Sequence, residues 1–140
     1  MELTRRKVLV TGAAAVAASG FGAMPAYASL LDEEISIITG GADVGEGAIN
    51  LTTPEIAENG NTVPVSVEAA GAVSITLFAD GNPLPNVATF NFGPLNPSRS
   101  ASTRIRLAKT QNVVALATME DGSFQKAAAN VKVTIGGCGG

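Results

Sequence analysis

The 140-residue chain contains no histidine, no tryptophan and a single cysteine. Without histidine it lacks the side chain that most often acts as a general acid or base near neutral pH, and a Cys/His nucleophile is excluded. One cysteine cannot close a disulfide within the chain, and a lone sulfur beside oxygen donors is a poor transition-metal site. We therefore expect a protein that is not an enzyme and that holds neither a metal nor a cofactor.

Charged residues are also few, and acidic ones prevail. Lysine and arginine total 9, aspartate and glutamate total 12, and the net charge is −3. A negative chain is a poor partner for nucleic acid, whose phosphates attract basic surfaces. The glycines near Gly40 and Gly45 lack the lysine of a phosphate-binding loop, so they are interpreted as ordinary loop glycines.

The N-terminus has the organisation of an export signal. Arg5 and Arg6 precede a short run of small and apolar residues that ends in Ala26-Tyr27-Ala28. Paired arginines, a modest apolar run and an Ala-x-Ala site are typical of a twin-arginine signal peptide, which is removed after export of a folded protein. We predict that residues 1–28 are cleaved, that the mature protein is periplasmic, and that it has no membrane segment.

The mature chain, residues 29–140, has the length of one domain. Runs rich in Val, Ile, Thr and Phe alternate with Gly, Pro, Asn and Asp turns, which is the pattern of short β-strands. The predicted strands are 48–52, 62–69, 73–79, 87–92, 100–108, 112–119 and 123–135, the last of them bent or divided in two. Such a series of strands predicts an all-β, immunoglobulin-like sandwich over residues 29–135.

Two further segments flank the predicted strands. Residues 30–38 carry apolar side chains on both sides of an acidic cluster and fit no strand pairing, so they form either a short helix or a cover for a partner. The final strand alternates apolar and polar residues from Asn130 and runs directly into Gly136. We therefore expect the edge of a sheet to launch the C-terminal segment.

The C-terminal segment holds the only cysteine between Gly136-Gly137 and Gly139-Gly140. Glycine visits both signs of φ, so the segment is expected to be a flexible arm that can thread Cys138 into a narrow site. Its five residues span at most about 16 to 18 Å. Prenylation requires a cysteine one position earlier. A disulfide-linked dimer, a reactive thiol and a covalent carrier stay open as roles of Cys138.

Most of the mature chain resembles the SoxY family, the sulfur carriers of bacterial thiosulfate oxidation. The twin-arginine start, the small β domain and the terminal Gly-Gly-Cys-Gly-Gly together are similar to that family. Four internal regions resemble it as well: Pro54–Val65, Asn86–Phe92, Thr103–Leu107 with Thr110–Val114, and Val131–Ile135. The terminal pentapeptide is the most specific of these elements.

The resemblance implies that Cys138 carries thiosulfate and later sulfane intermediates as covalent adducts. It also implies a heterodimer with a SoxZ-like companion subunit. A haem-containing SoxAX-like cytochrome would load the arm, a SoxB-like hydrolase would release sulfate, and in some organisms a sulfane dehydrogenase would oxidise the remaining sulfur. The chain would then be a substrate of its partner enzymes. We expect the companion subunit to contact the strands around residues 87–92 and 100–107.

Two other functions stay open. A C-terminal Gly-Gly also ends ubiquitin-like sulfur carriers, but their thiocarboxylate chemistry needs no cysteine, and it needs ATP, which an exported domain lacks. An exported structural or adhesive sandwich would instead use Cys138 for a disulfide-linked homodimer, because folds of this type serve many unrelated functions.

Overall fold

The computed structural model describes residues 26–134, with side chains from residue 30 onward. This part of the chain forms one helix, α1 (Ala26–Thr39), and nine strands. The strands are β1 (Val44–Glu46), β2 (Asn50–Thr52), β3 (Ile56–Ala57), β4 (Val63–Glu68), β5 (Ala72–Ala79), β6 (Asn86–Asn91), β7 (Ser100–Ile105), β8 (Gln111–Met119) and β9 (Phe124–Val133).

The strands form two sheets that face each other. The larger sheet has the order β1-β9-β8-β5-β6, and β3 joins it through β9; the smaller sheet has the order β2-β4-β7. β9 pairs antiparallel with β8 and parallel with both β1 and β3. Within residues 26–134, β6 pairs only with β5 and β7 pairs only with β4. β6 is therefore an edge strand of the larger sheet, and β7 is an edge strand of the smaller sheet.

The core lies between the sheets and is almost entirely aliphatic. In β4, Val63, Val65 and Val67 are buried while Pro64 and Glu68 are exposed, as the two-residue period of a strand requires. The larger sheet contributes alternate residues that are fully buried: Ile75, Leu77, Val113, Ala115 and Ala117. Small and branched side chains thus fill the space that aromatic rings occupy in many sandwiches.

Helix α1 covers the outer face of the larger sheet. Leu31, Ile35 and Ile38 are spaced by four and three residues, so they lie along one side of the helix. They pack against side chains on the outer face of β5, β8 and β9 and on β1: Phe78, Val114, Leu116, Phe124 and Val44. The helix ends where Gly40 adopts a φ of 64°, which favours glycine. As a result, β5 and β8 are buried on both faces.

The structure confirms the predicted all-β sandwich and shows a strand in each of the seven predicted stretches. It adds β1 and β3, which are 3 and 2 residues long and were not predicted. Residues 30–38 belong to a helix that covers the protein's own sheet. No helix within residues 26–134 has the length and apolar character needed to cross a membrane.

The last strand differs from the prediction in its place in the sheet. Of the two forms expected for this stretch, the divided one is excluded, because β9 is a single strand of 10 residues. It is also not at a sheet edge, since β8 lies on one side of it and β1 and β3 lie on the other. The strand that leads to the C-terminal segment is therefore internal.

The predicted signal peptide lies almost wholly outside the described residues. α1 begins at Ala26, so the expected cleavage site after Ala28 falls within the first turn of the helix. The side chains of α1 that pack on the sheet begin at Leu31, beyond that site. Cleavage stays a prediction, and it would spare the packing residues of the helix.

Candidate functional site

The predicted site lies outside the residues that the structure describes. Cys138 and the four glycines of the predicted arm, Gly136, Gly137, Gly139 and Gly140, follow the last described residue, Thr134. Four residues of chain join Thr134 to Cys138, so their Cα atoms are at most about 13 to 14 Å apart. The surface around Thr134 is therefore within reach of the thiol.

The end of β9 is held on both sides. Thr110 Oγ1 accepts a hydrogen bond from the N–H of Val133 at 2.9 Å and donates one to its carbonyl at 3.4 Å. On the opposite side, the N–H of Thr134 donates to the carbonyl of Ala57 at 3.1 Å. This last bond extends the pairing with β3, so the chain is fixed in position up to Thr134.

Three loops lie at the same end of the sandwich as Thr134, and we call the surface formed by residues 58–62, 80–85, 106–110 and Thr134 the exit end. β8 starts beside the end of β9, and β5 ends beside the start of β8. The N–H of Leu107 donates to the carbonyl of Gly60 at 2.7 Å and joins the first loop to the third. The loops therefore form one continuous surface beside the exit of the chain.

Asn82 joins loop 80–85 to residues 106–110, the segment that connects β7 to β8. Its Oδ1 accepts hydrogen bonds from the N–H of Ala108 at 3.0 Å and from Gln111 Nε2 at 2.9 Å, and its Nδ2 donates to the carbonyl of Arg106 at 2.8 Å. The N–H of Gly81 donates to Gln111 Oε1 at 2.8 Å. A Cβ at Gly81 would lie 2.9 Å from Gln111 Cβ, so only glycine fits there. Loop 80–85 is consequently fixed in conformation.

This loop forms one wall of a surface cavity on the exit end. The cavity has a volume of about 310 Å³ and is lined by Asn82, Pro83, Leu84, Arg106 and Ala108. Leu84 is 80% exposed although it is a large apolar residue. The exit end thus offers a largely apolar hollow with one basic side chain beside it.

Charged residues of both signs lie on the exit end and close to it along the chain. Arg106, Lys109 and Glu58 belong to the exit end, Glu55 and Lys132 lie a few residues from it in the sequence, and all five are exposed. Within residues 26–134, no three His, Cys, Asp or Glu side chains come together as a possible metal site. This stretch also contains no histidine or cysteine in its sequence.

The sequence did not identify the residues that shape this surface. Neither composition nor periodicity singles out Asn82, Thr110 or Ala57. Their partners lie 23 to 77 positions away along the chain. Since no local pattern connects such residues, only the strand pairing brings them together.

The fold and the position of the thiol define a class of protein, a β-sandwich whose last strand leads, within a few residues, to a cysteine between glycines. A family model described as Sulfur oxidation protein SoxY matches residues 36–138. The chain belongs to the SoxY family, and it therefore has the role of a sulfur carrier in thiosulfate oxidation.

Solved structures agree with this assignment. The sulfur carrier protein SoxY from Chlorobium limicola f thiosulfatophilum is 40% identical, with a TM-score of 0.68, over 77% of this chain and 99% of that one. A superoxide reductase (neelaredoxin) from Ignicoccus hospitalis is 16% identical, with a TM-score of 0.55, over 62% of this chain and 80% of that one. At this identity the second likeness shows the sandwich fold alone. A search of curated protein sequences found no match.

Proposed function

We propose that Cys138 is the attachment point for the sulfur intermediates, and that residues 136–140 form the arm that presents them to partner enzymes. The observation that carries the proposal is the family match, which extends through residue 138 and so includes the only cysteine of the chain. The fixed position of Thr134, four residues earlier, supports it. A domain that holds its last strand firmly can offer a short segment to another protein without unfolding.

Loading of the arm is an oxidation. The thiol of Cys138 and a thiosulfate dianion join through a new S–S bond to give a cysteine S-thiosulfonate with one negative charge, and one proton and two electrons leave. The electrons require an acceptor, which a SoxAX-like haem cytochrome supplies. The chain itself provides the sulfur nucleophile and the tether.

Release of sulfate is a hydrolysis. Water attacks the terminal sulfonate sulfur and breaks its bond to the next sulfur, so that hydrogen sulfate leaves and a persulfide stays on Cys138. A SoxB-like hydrolase performs this step, and where a sulfane dehydrogenase is present it oxidises the remaining sulfur. The loading step in particular needs an enzyme, because a thiol without assisting neighbours is only about 3% thiolate at pH 7.

Export precedes this chemistry. The Arg5-Arg6 signal directs the folded protein to the periplasm, and cleavage after Ala28 leaves Ser29 as the first residue. The packing residues of α1 follow this position, which supports a mature domain that keeps its helix. A signal of this kind also allows a companion subunit without a signal of its own to cross in the same folded complex.

A SoxZ-like companion subunit binds the edge of the sandwich at β6 and β7. Each of these strands pairs on one side only, and they overlap the stretches expected from the sequence to meet the partner. Val87, Phe90 and Phe92 lie beside this edge and are only partly buried. An incoming strand or loop would cover them and satisfy the open backbone groups.

Intact mass of the protein from cells oxidising thiosulfate tests the proposal, with and without a thiol reductant. We expect a mature mass that starts at Ser29 and a reductant-removable sulfur adduct mapped to Cys138. Cys138→Ser should lose the adduct and thiosulfate-dependent activity while it keeps its fold and its companion subunit. A bare thiol, or only a disulfide-linked homodimer, would favour a structural protein instead.

A further inference from the structure

We propose that the hydrolase that releases sulfate from the Cys138 adduct docks on the exit end and makes its apolar contact with Leu84. This inference rests on the proposed function, since it presumes that the adduct is carried on Cys138. Under this inference the enzyme recognises two parts of the carrier, the arm and a docking surface on the folded domain.

The length of chain beyond the described residues sets where an enzyme must lie. Cys138 can move at most about 13 to 14 Å from Thr134, so an active site that receives it must open within that distance of the exit. β5 and β9 flank β8, which places loop 80–85 about 9 to 10 Å from the end of β9. An interface of standard size covers about 800 Å² on each partner, a patch with a radius of roughly 16 Å, so an enzyme centred on the exit of the chain would cover Leu84.

Leu84 is presented in a way that suits binding. It stands between two prolines in a loop held by Asn82 and by the hydrogen bond from the N–H of Ala79 to the carbonyl of Pro85 at 2.8 Å. Pro85 is buried, so the loop cannot swing as a unit. A contact made by a side chain that is already fixed loses little conformational entropy on binding.

The chemistry of the surface indicates what the enzyme offers in return. The cavity beside Leu84 is largely apolar and has Arg106 among its lining residues. A complementary rim would place an apolar side chain in the cavity and an acidic one next to it. Such a contact orients the carrier and leaves the opening of the active site facing Thr134.

Leu95 provides a matched control. It is 95% exposed and stands next to Pro94, as Leu84 stands between prolines. β6 separates the two leucines, so Leu95 lies at the opposite end of the sandwich, about 17 to 20 Å away. Thr134 lies at the same end of the sandwich as Leu84, so Leu95 is separated from Thr134 by at least about the length of β6, which exceeds the reach of Cys138.

The experiment compares Leu84→Asp with Leu95→Asp in the full mature chain, purified with its companion subunit and loaded with thiosulfate. Sulfate release by the purified hydrolase is followed against carrier concentration. We expect Leu84→Asp to lower kcat/KM at least tenfold through KM, with kcat unchanged, and Leu95→Asp to match the wild type. Leu84→Ala should give a smaller loss in the same direction.

Other results would overturn the inference. If Leu84→Asp matches the wild type, the domain surface is not read by the enzyme. If Leu84→Asp changes the rate at which Cys138 reacts with a small disulfide reagent, the leucine affects the arm itself and not the docking of the enzyme. If Leu84→Asp weakens the complex with the companion subunit, the leucine belongs to the interface with that subunit. A wild-type carrier that the hydrolase does not process would instead refute the proposed function itself.

Discussion

Asp121 shows how an exposed side chain can set the conformation of a turn. Its Oδ1 accepts hydrogen bonds from the Ser123 hydroxyl at 2.5 Å and from the Ser123 N–H at 2.9 Å, within the turn between β8 and β9. These two bonds hold the pKa of Asp121 below its ordinary value of 3.8, and the bond from the Ser123 hydroxyl has the larger effect. They stabilise the ionised carboxylate and with it the turn that starts β9.

The sign of this shift gives a pH prediction. Because the pKa is lower in the folded state, the contribution of Asp121 to stability is present above about pH 4 and is lost as the pH falls through the folded value. Ser123→Ala should raise the pKa of Asp121 toward 3.8 and weaken the loss of stability in acid, as NMR titration and acid unfolding would show. The hydroxyl of Ser98 accepts a hydrogen bond from Ser100 and makes none with a carboxylate in the described part of the chain, so Ser98→Ala should leave the titration of Asp121 unchanged. A wild-type pKa at or above 3.8 would contradict this account.

At the scale of elements, α1 stabilises the sandwich through one of its sides only. Ile35 packs against the outer face of the large sheet, whereas Ile37, two residues later, is 71% exposed. Ile35→Ala should lower the free energy of unfolding by about 1 to 3 kcal/mol, less than for a fully buried isoleucine, because the site is only partly buried. Ile37→Ala should change it by less than about 0.5 kcal/mol. Equal effects in urea unfolding would mean that the helix does not rely on this face.

The elements also show which parts of the fold can be inferred from the sequence. β4 was predictable because its valines alternate with polar residues, and α1 had the required spacing of Leu31, Ile35 and Ile38. β1 and β3 left no pattern, since strands of 3 and 2 residues are too short to show a period. They exist because β9 offers them its backbone in parallel pairing. Because β1 and β3 pair with β9, β9 lies inside the larger sheet and not at its edge. The residues of β9 alone did not indicate this position.

For the site, the sequence predicts Cys138, and the structure shows the exit end, whose Thr134 stands four residues before that cysteine. Cys138 was recognisable because it is the only cysteine and stands between glycines near the chain end. The hydrogen bonds of Asn82 and Thr110 to segments far away in sequence were not, because they depend on the order of strands in the sheet.

At the scale of the whole molecule, the fold is completed by its last strand. Val44 pairs with Phe124, and Ile56 with Lys132, so the first strands find their partners only when the end of the chain is present. Contacts of this sequence separation are typical of proteins that fold in milliseconds to seconds. A domain closed in this way is complete only once residues 124–133 have been synthesised.

Two truncations test this dependence. Removal of residues 124–140 should abolish cooperative unfolding in urea, because β1 and β3 would lose the strand with which they pair and β8 would lose one of its two neighbours. Removal of residues 136–140 alone should change the free energy of unfolding by less than about 0.5 kcal/mol, because the bonds described for the end of β9 are made by Val133 and Thr134, which this truncation keeps. A large loss in the shorter truncation would show that the arm takes part in the stability of the domain.

The fixation of β9 up to Thr134 also bears on the affinity that the carrier requires. A tether that starts from a fixed point and is only four residues long keeps the thiol at an effective concentration in the millimolar range or above beside a docked protein. An enzyme therefore need not bind the adduct tightly in order to capture it. Docking can be weak and brief, so the carrier can leave one enzyme and reach the next without a slow dissociation between them.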